Sequence, residues 1–294
     1  MSAVQRVDVP GVIDDRVTIS VVDGIADVKM NRADKRNALD NAMFASLCAA
    51  GEYLKTLDGL RVVVLSGDGA SFCAGLDFSS FAQMAEAGAK ANAADKKPDK
   101  KPDMNAGAMV DGRITHMAQQ VCWVWQEVPV PVIAAVHGHA LGGGIQIALG
   151  ADIRIVHPDT QLSVREVHWG LIPDMTGTLM LSRLTRPDVV KNLVFTARIF
   201  SGKEGYEMGL VTQLSQDVYA DAMTMAREIA GRSPEAVRGA KKLINLLANS
   251  GAAEQFAAER ATIGQLIGTA NQAEAVMSHF EKRPPNFVSG SLFR

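Results

Sequence analysis

HALGGGIQIALGAD, His139 to Asp152, sets three consecutive glycines between two apolar runs. Upstream, Val132–Val136 has the Val/Ile/Ala composition of a buried strand, and Gly143–Leu149 has the length and apolarity of a short buried helix. Asp152–Val156 follows as another strand. Glycine lacks a Cβ, so a ligand can approach the backbone N–H groups closely. If a helix begins at Gly143, the N–H groups of its first turn have no partner within the helix and lie at the positive end of its dipole. That suits an anion, or an oxygen that becomes anionic during a reaction. Close packing of a helix on a strand favours glycine equally, so this stretch alone leaves both readings open. The first polar residue after the glycines is the uncharged Gln146.

Outward from this segment the chain reads as a mixed α/β layer. Val17–Val22 and Ile25–Met30 are Val/Ile-rich and flank Asp23-Gly24, a strong hairpin signal. In the polar loop NRADKRNALD, Asp40 is placed to cap a helix whose buried stripe is Phe44, Leu47, Cys48, Gly51 and Leu54. Val62–Leu65 is the next strand, and strand–helix–strand order implies parallel pairing. A helix is expected near Ile114–Gln126, and helices dominate after Arg183. Phe256, Ile263, Leu266, Ile267, Ala270, Met277 and Phe280 recur at helical spacing and predict a long amphipathic helix closing the chain. The division expected is a core over 1–210 and a helical region over 211–294. A segment of about 82–113, rich in Ala, Lys and Asp with two KKPD copies, reads as a mobile surface insertion or a wall beside a site.

Composition narrows the function classes. The 294 residues are 47% hydrophobic and 21% charged, with a formal net charge of −2, so neither a nucleic-acid surface nor an anionic-membrane surface is expected. Cys48, Cys73 and Cys122 are far apart and odd in number, which argues against a disulfide framework or a zinc knuckle. The N-terminus MSAVQRVDVPGVIDDR lacks an apolar h-region, and a cytoplasmic location is expected. Val128–Ala151 carries no formal charge, but its prolines, histidines, Gln146 and glycines suit strand–turn–helix better than a membrane span.

Two further segments could carry chemistry. SFCAGLDF, Ser71–Phe78, follows a parallel strand and again places small residues, Ala74 and Gly75, where backbone must be exposed. Two such turns could aim two N–H groups at one oxygen. In LSVREVHWGLIPDMTG, Glu166 and Asp174 lie among Val164, Val167, Trp169, Leu171 and Ile172, which would desolvate an inward-facing carboxylate and raise its pKa. A surface pairing of Glu166 with Arg165 or a distant cation is the competing reading. His137 and His139 alternate at a strand end and have no evident third ligand, so they read as packing and no metal is expected. His168 reads as a lining residue and Cys73 as a small packing residue.

Together the segments NRADKRNALD, SFCAGLDF, PVIAAVHGHALGGG, ADIRIV, EVHWGLIPD and FEKRPPNF resemble, in order, the crotonase superfamily of enoyl-CoA hydratases and isomerases. The likeness runs from about Val17 to Phe287. It implies a spiral of ββα turns with a C-terminal helical region that builds homotrimers or dimers of trimers. It also implies an acyl-CoA thioester substrate, with coenzyme A as part of that substrate and no separate cofactor. The backbone oxyanion-hole donors implied are Leu76 and Gly143. Coenzyme A would lie along Arg36, Ala38 and Leu39 and along Ala74, Gly75 and Asp77, with Lys282 near its nucleotide end.

The family's hydratases carry a glutamate at the Gln146 position and another at the Glu166 position. An amide can hydrogen-bond water but cannot take its proton. The spacing of Glu166 and Asp174 is similar to that in Δ3,5-Δ2,4-dienoyl-CoA isomerases, although those carry an aspartate where Gln146 stands. The favoured expectation is therefore double-bond isomerisation, with Glu166 and Asp174 moving protons at two ends of an enolate. Hydration by Glu166 with water held by Gln146 is the alternative. A crotonase-fold protein that binds acyl-CoA without turnover is the rival of another class.

Overall fold

In the computed structural model the described residues are 5–77, 79, 113–169, 171–247, 269–271, 274, 278 and 281–290. The insertion expected over 82–113, apart from Arg113, lies outside them, as do Phe256, Ile263, Leu266, Ile267, Met277 and Phe280 of the expected closing helix.

Strand β1 (Gln5–Val7) pairs antiparallel with β2 (Val17–Val22), and β2 with β3 (Ile25–Met30). Asp23 (φ 52°) and Gly24 (φ 79°) both adopt left-handed backbone, which matches the twist of a tight hairpin and sets the register Val22↔Ile25. Helix α1 (Asn41–Thr56) starts where expected, the Asp40 carboxylate accepting from Met43 N–H at 2.8 Å. It leads to β4 (Val62–Gly67), parallel to β3.

Helix α2 (Met117–Glu127) begins later than its apolar pattern suggests. The His116 side chain accepts from Gln119 N–H while the Gln119 side chain accepts from His116 N–H. This reciprocal cap leaves Ile114 outside the helix, 84% exposed. Then come β5 (Val132–Val136), β6 (His139–Leu141), α3 (Gly143–Gly150), β7 (Ile153–Val156), β8 (Gln161–Ser163) and a 3-10 turn, Glu166–Trp169. The chain continues through α4 (Gly177–Leu184), α5 (Pro187–Thr196), β9 (Phe200–Ser201), α6 (Gly202–Glu207), β10 (Gln213–Leu214), α7 (Val218–Ala230) and α8 (Pro234–Leu247).

The larger sheet has the order β1-β2-β3-β4-β5-β7-β10, parallel from β3 onward, and the smaller has the order β6-β8-β9. Strand alternation divides the interior in two. Val63, Leu65, Ala134 and Val136 join Leu47 and Leu54 of α1, Val121 and Trp125 of α2 and Ile147 of α3. Val62, Val64, Ile133, Ala135 and Ile155 face the other way, onto Ala222 and Ala226 of α7. Central strands covered on both faces explain the continuous apolar runs at 62–65 and 132–136. The result is the α/β spiral of ββα units expected from the sequence. In its clearest turn, β5 hands over to β6 of the small sheet and then to α3, so the loops at the carboxyl ends of the parallel strands meet at the small sheet. Among the described residues no helix is long and apolar enough to cross a membrane. The uncharged Val128–Ala151 stretch is divided among β5, β6 and α3.

Candidate active site

After β4 the chain turns through Ser71–Asp77 and docks on β6. Cys73 N–H donates to His139 O at 2.9 Å, and Leu141 N–H donates to Cys73 O at 3.1 Å. On the other side Leu76 forms a parallel bridge with Leu39. Leu39 N–H donates to Gly75 O at 2.8 Å and Asp77 N–H to Leu39 O at 3.0 Å. Gly75 has φ 91°, and a Cβ there would stand 2.6 Å from Leu141 O, so neither the backbone nor the space admits a side chain. Among the described residues no acceptor takes the N–H of Leu76.

The second corner follows β6. Gly142 has φ 53°, and its N–H donates to Ser163 O at 2.9 Å. Gly143 opens α3, and its N–H also has no acceptor among the described residues. The three glycines meet different neighbours: Cβ atoms would lie 3.4 Å from Glu166 Oε1 at Gly142, 2.7 Å from Leu39 Cδ1 at Gly143 and 2.2 Å from Cys73 O at Gly144. Of the two readings the sequence left open, close packing is observed, and beside it stands an N–H with no acceptor among the described residues. Gly144 seats the helix on the first corner, and Gly143 leaves its N–H at the positive end of the dipole. The corners adjoin, since a Cβ on Gly75 would also lie 4.0 Å from Gly142 Cα.

Beside the second corner Gln146 is wholly buried. Its Nε2 donates to Glu166 Oε1 at 2.5 Å, and its Oε1 accepts from Met175 N–H at 3.0 Å and Gly177 N–H at 2.9 Å. Glu166 Oε2 is buried and has no hydrogen-bond partner among the described residues. Burial pushes the Glu166 carboxyl above the usual range; the charge of Asp174 adds to the rise, and the Gln146 N–H opposes it. The competing reading, a surface pairing of Glu166 with Arg165, is not what forms, and Arg165 points to Ala197 O at 3.4 Å. Of the two carboxylates, the one that faces inward and is desolvated is Glu166 and not Asp174. Asp174 is exposed, as are Val167, Trp169, Leu171 and Ile172, at 39%, 43%, 42% and 71%. Only Val164 of that apolar set is fully buried. The 3-10 turn carries the other side chains outward while drawing Glu166 in.

Several expected coenzyme A contacts belong to the framework. Leu39 is fully buried, with both backbone groups used by the ladder. Asp77 accepts from the Ser79 hydroxyl and N–H, and from Arg32 Nη1 at 2.5 Å, which together hold its carboxyl down at about 2. Arg36 is exposed, and Ala38 and Ala74 are half-buried beside the first corner, Ala74 N–H donating to Arg36 O at 2.9 Å. Lys282 is exposed in a tail whose Phe287 and Gly290 carbonyls are fixed by Arg61 and Arg238 near the start of β4. That is the opposite end of the strand from the corners, so the described contacts do not bring Lys282 to them.

Two structural residues went unnoticed in the sequence. Arg32 also donates to Ala38 O at 3.0 Å and approaches Asp40 at 3.5 Å. Buried Asn37 accepts from Arg32 N–H at 2.8 Å and donates to Asp68 O at 3.0 Å and Ser71 O at 2.8 Å. Both sit in the polar loop after β3, where Arg36 and Asn37 are left-handed; the tolerance of asparagine for that backbone was the signal available in the sequence. The Cys73 thiol, buried and pushed up to about 12, is not a nucleophile.

Residues 21–106 and 99–290 match the family model for enoyl-CoA hydratase/isomerase. The chain is 30% identical over 271 residues to the human mitochondrial methylglutaconyl-CoA hydratase, covering 90% of this chain and 74% of that protein. It is 33% identical to the bovine mitochondrial enoyl-CoA hydratase domain-containing protein 2, over 90% of this chain and 84% of that one. A probable enoyl-CoA hydratase/isomerase crystal structure from Mycobacterium abscessus superposes with a TM-score of 0.78 at 30% identity, covering 93% and 99% of the two chains. One of a putative enoyl-CoA hydratase from Streptomyces coelicolor A3(2) reaches 0.80 at 26% identity, over 98% of each.

Proposed function

We infer the reaction from one premise: the chain belongs to the enoyl-CoA hydratase/isomerase family. The N–H groups of Leu76 and Gly143 receive the thioester oxygen of an acyl-CoA, each lowering the barrier to its enolate by about 3 kcal/mol. The Glu166 carboxylate takes a proton from C2 of a 3-enoyl thioester, and the electron pair passes into the dienolate. The same carboxyl returns the proton at C4, giving the 2-enoyl isomer with no other reactant. Asp174, exposed, acts through its charge, which strengthens proton binding at Glu166. This narrows the two-acid scheme to one proton carrier.

The observation that carries this reading is a desolvated carboxyl beside the second corner, whose Glu166 Oε2 has no hydrogen-bond partner among the described residues and whose neighbour is an amide already engaged through its own oxygen. A 1,3-proton shift can be carried by one base that both takes and returns the proton. Hydration is the second reading, favoured by the names of the relatives, with Glu166 acting on water and Gln146 offering only its remaining N–H. Proton NMR of 3-enoyl-CoA and 2-enoyl-CoA in heavy water with the purified protein separates them. Isomerisation yields the shifted double bond; a 3-hydroxyacyl product overturns that reading in favour of hydration. Neither product marks a binder. The same proposal includes assembly as a homotrimer or dimer of trimers, measured by sedimentation.

A further inference from the structure

We propose that Gln146 is a positioning residue which locks Glu166 to the 175–177 turn through one fixed amide orientation and so confines the exchangeable proton of Glu166 to Oε2. This rests on the reading of Glu166 as proton carrier. Two backbone donors, Met175 N–H and Gly177 N–H, converge on one end of the Gln146 amide. Only the oxygen can receive them, so the other end must be NH2, and it must donate to Glu166 Oε1. An oxygen that accepts this N–H cannot also present a proton to it, which leaves Oε2. The clamp is tight on its far side as well: a Cβ on Gly177 would lie 2.4 Å from Gln146 Oε1. The turn it grips contains Thr176 at φ 69°, an uncommon backbone for a β-branched residue that has to be held in place.

The amide does three jobs that a second glutamate would divide or lose. It stays neutral beside a carboxyl, it donates to that carboxyl, and it accepts from the turn. The groups facing Glu166 are Asp174, whose charge raises its pKa, and the buried Cys122 thiol of α2, which burial lifts far above its ordinary value and keeps neutral. Arg165 is turned to Ala197 O. The Gln146 N–H is thus the neutral side-chain donor that favours the ionised form of Glu166, alongside the backbone N–H groups of Glu166 and Arg165.

The test is a titration of the Glu166 carboxyl by difference infrared spectroscopy, with Glu166→Gln assigning the band, in the intact protein and in Gln146→Met and Gln146→Glu. It needs no substrate. Both replacements should move the midpoint to higher pH, Met by removing the donor and Glu by adding a competing carboxyl. Turnover of 3-hexenoyl-CoA should fall ~10²-fold in kcat with little change in KM. Gln146→Glu keeps an acceptor for Met175 and Gly177 and serves if Gln146→Met does not fold. A midpoint that stays in place, or a gain of hydration in Gln146→Glu, overturns the assignment. Loss of the underlying reading shows separately, as isomerase turnover that survives Glu166→Gln.

Discussion

The two corners that flank the site are alike in geometry and opposite in how they are braced. Each has a glycine with positive φ, Gly75 or Gly142, followed by a residue whose N–H has no acceptor among the described residues, Leu76 or Gly143. Around the first corner the bracing is ionic: Arg32 joins Asp77, Ala38 O and Asp40. Around the second it is neutral, made of a helix dipole, the Gly142–Ser163 bond and the Gln146 amide. The difference follows from what stands nearby. On the proposed reading Glu166 changes charge during the reaction, and an ion paired with it would pin its pKa, whereas the first corner would only hold an oxygen and tolerates charges behind it.

The contrast fails at once if the base is elsewhere. Glu166→Gln should lower isomerase turnover by ~10²–10⁴-fold while calorimetric affinity for an acyl-CoA remains, because it removes proton transfer and leaves both corners intact. Breaking the first corner directly, Gly75→Ala forces a Cβ against Leu141 O and should cost ~10²–10³-fold in kcat, read in the same assay.

A milder break tests the ionic bracing. Arg32→Ala leaves Asp77 and Ala38 O without their partner and should lower stability to denaturant by about 2 kcal/mol. The Asp77 carboxyl is depressed to about 2 in the folded protein, so its contribution is present at neutral pH and is lost as pH falls from about 4 toward 2. The unaltered protein should show this acid-limb loss in unfolding midpoints, and Arg32→Ala should show a smaller one, since the Ser79 donors to Asp77 remain.

The smallest effect is expected at Asp174. Asp174→Asn removes a charge that raises the Glu166 pKa, so the acid limb of the kcat/KM profile should move to lower pH with kcat largely kept. A loss as large as that of Glu166→Gln would restore Asp174 as a second proton carrier.

What the sequence disclosed and what it withheld divide along the same line. The Asp23-Gly24 hairpin, the Asp40 cap and the parallel strands were legible because each rests on local chemistry or on a run buried on both faces. The donor corners were legible because glycine spacing is a backbone property. Arg32–Asp77 and Gln146–Glu166 join residues 45 and 20 positions apart, and nothing in local composition marks such pairs. Gln146 was legible as an amide in place of an acid, but its acceptor role depends on two backbone donors from another loop. The outward turn of Trp169, Leu171 and Ile172 was hidden for a related reason. Apolar composition suggested burial, whereas the 3-10 geometry at Glu166–Trp169 decides which side chain enters.

The central claim, that Leu76 N–H and Gly143 N–H meet one thioester oxygen, is tested most directly by the carbonyl stretch of an isotopically labelled, non-reacting acyl-CoA bound to the protein. Two donors on one oxygen predict a marked shift to lower frequency relative to the free thioester, largely lost in Gly75→Ala. A bound carbonyl with the frequency of the free ligand would contradict the claim.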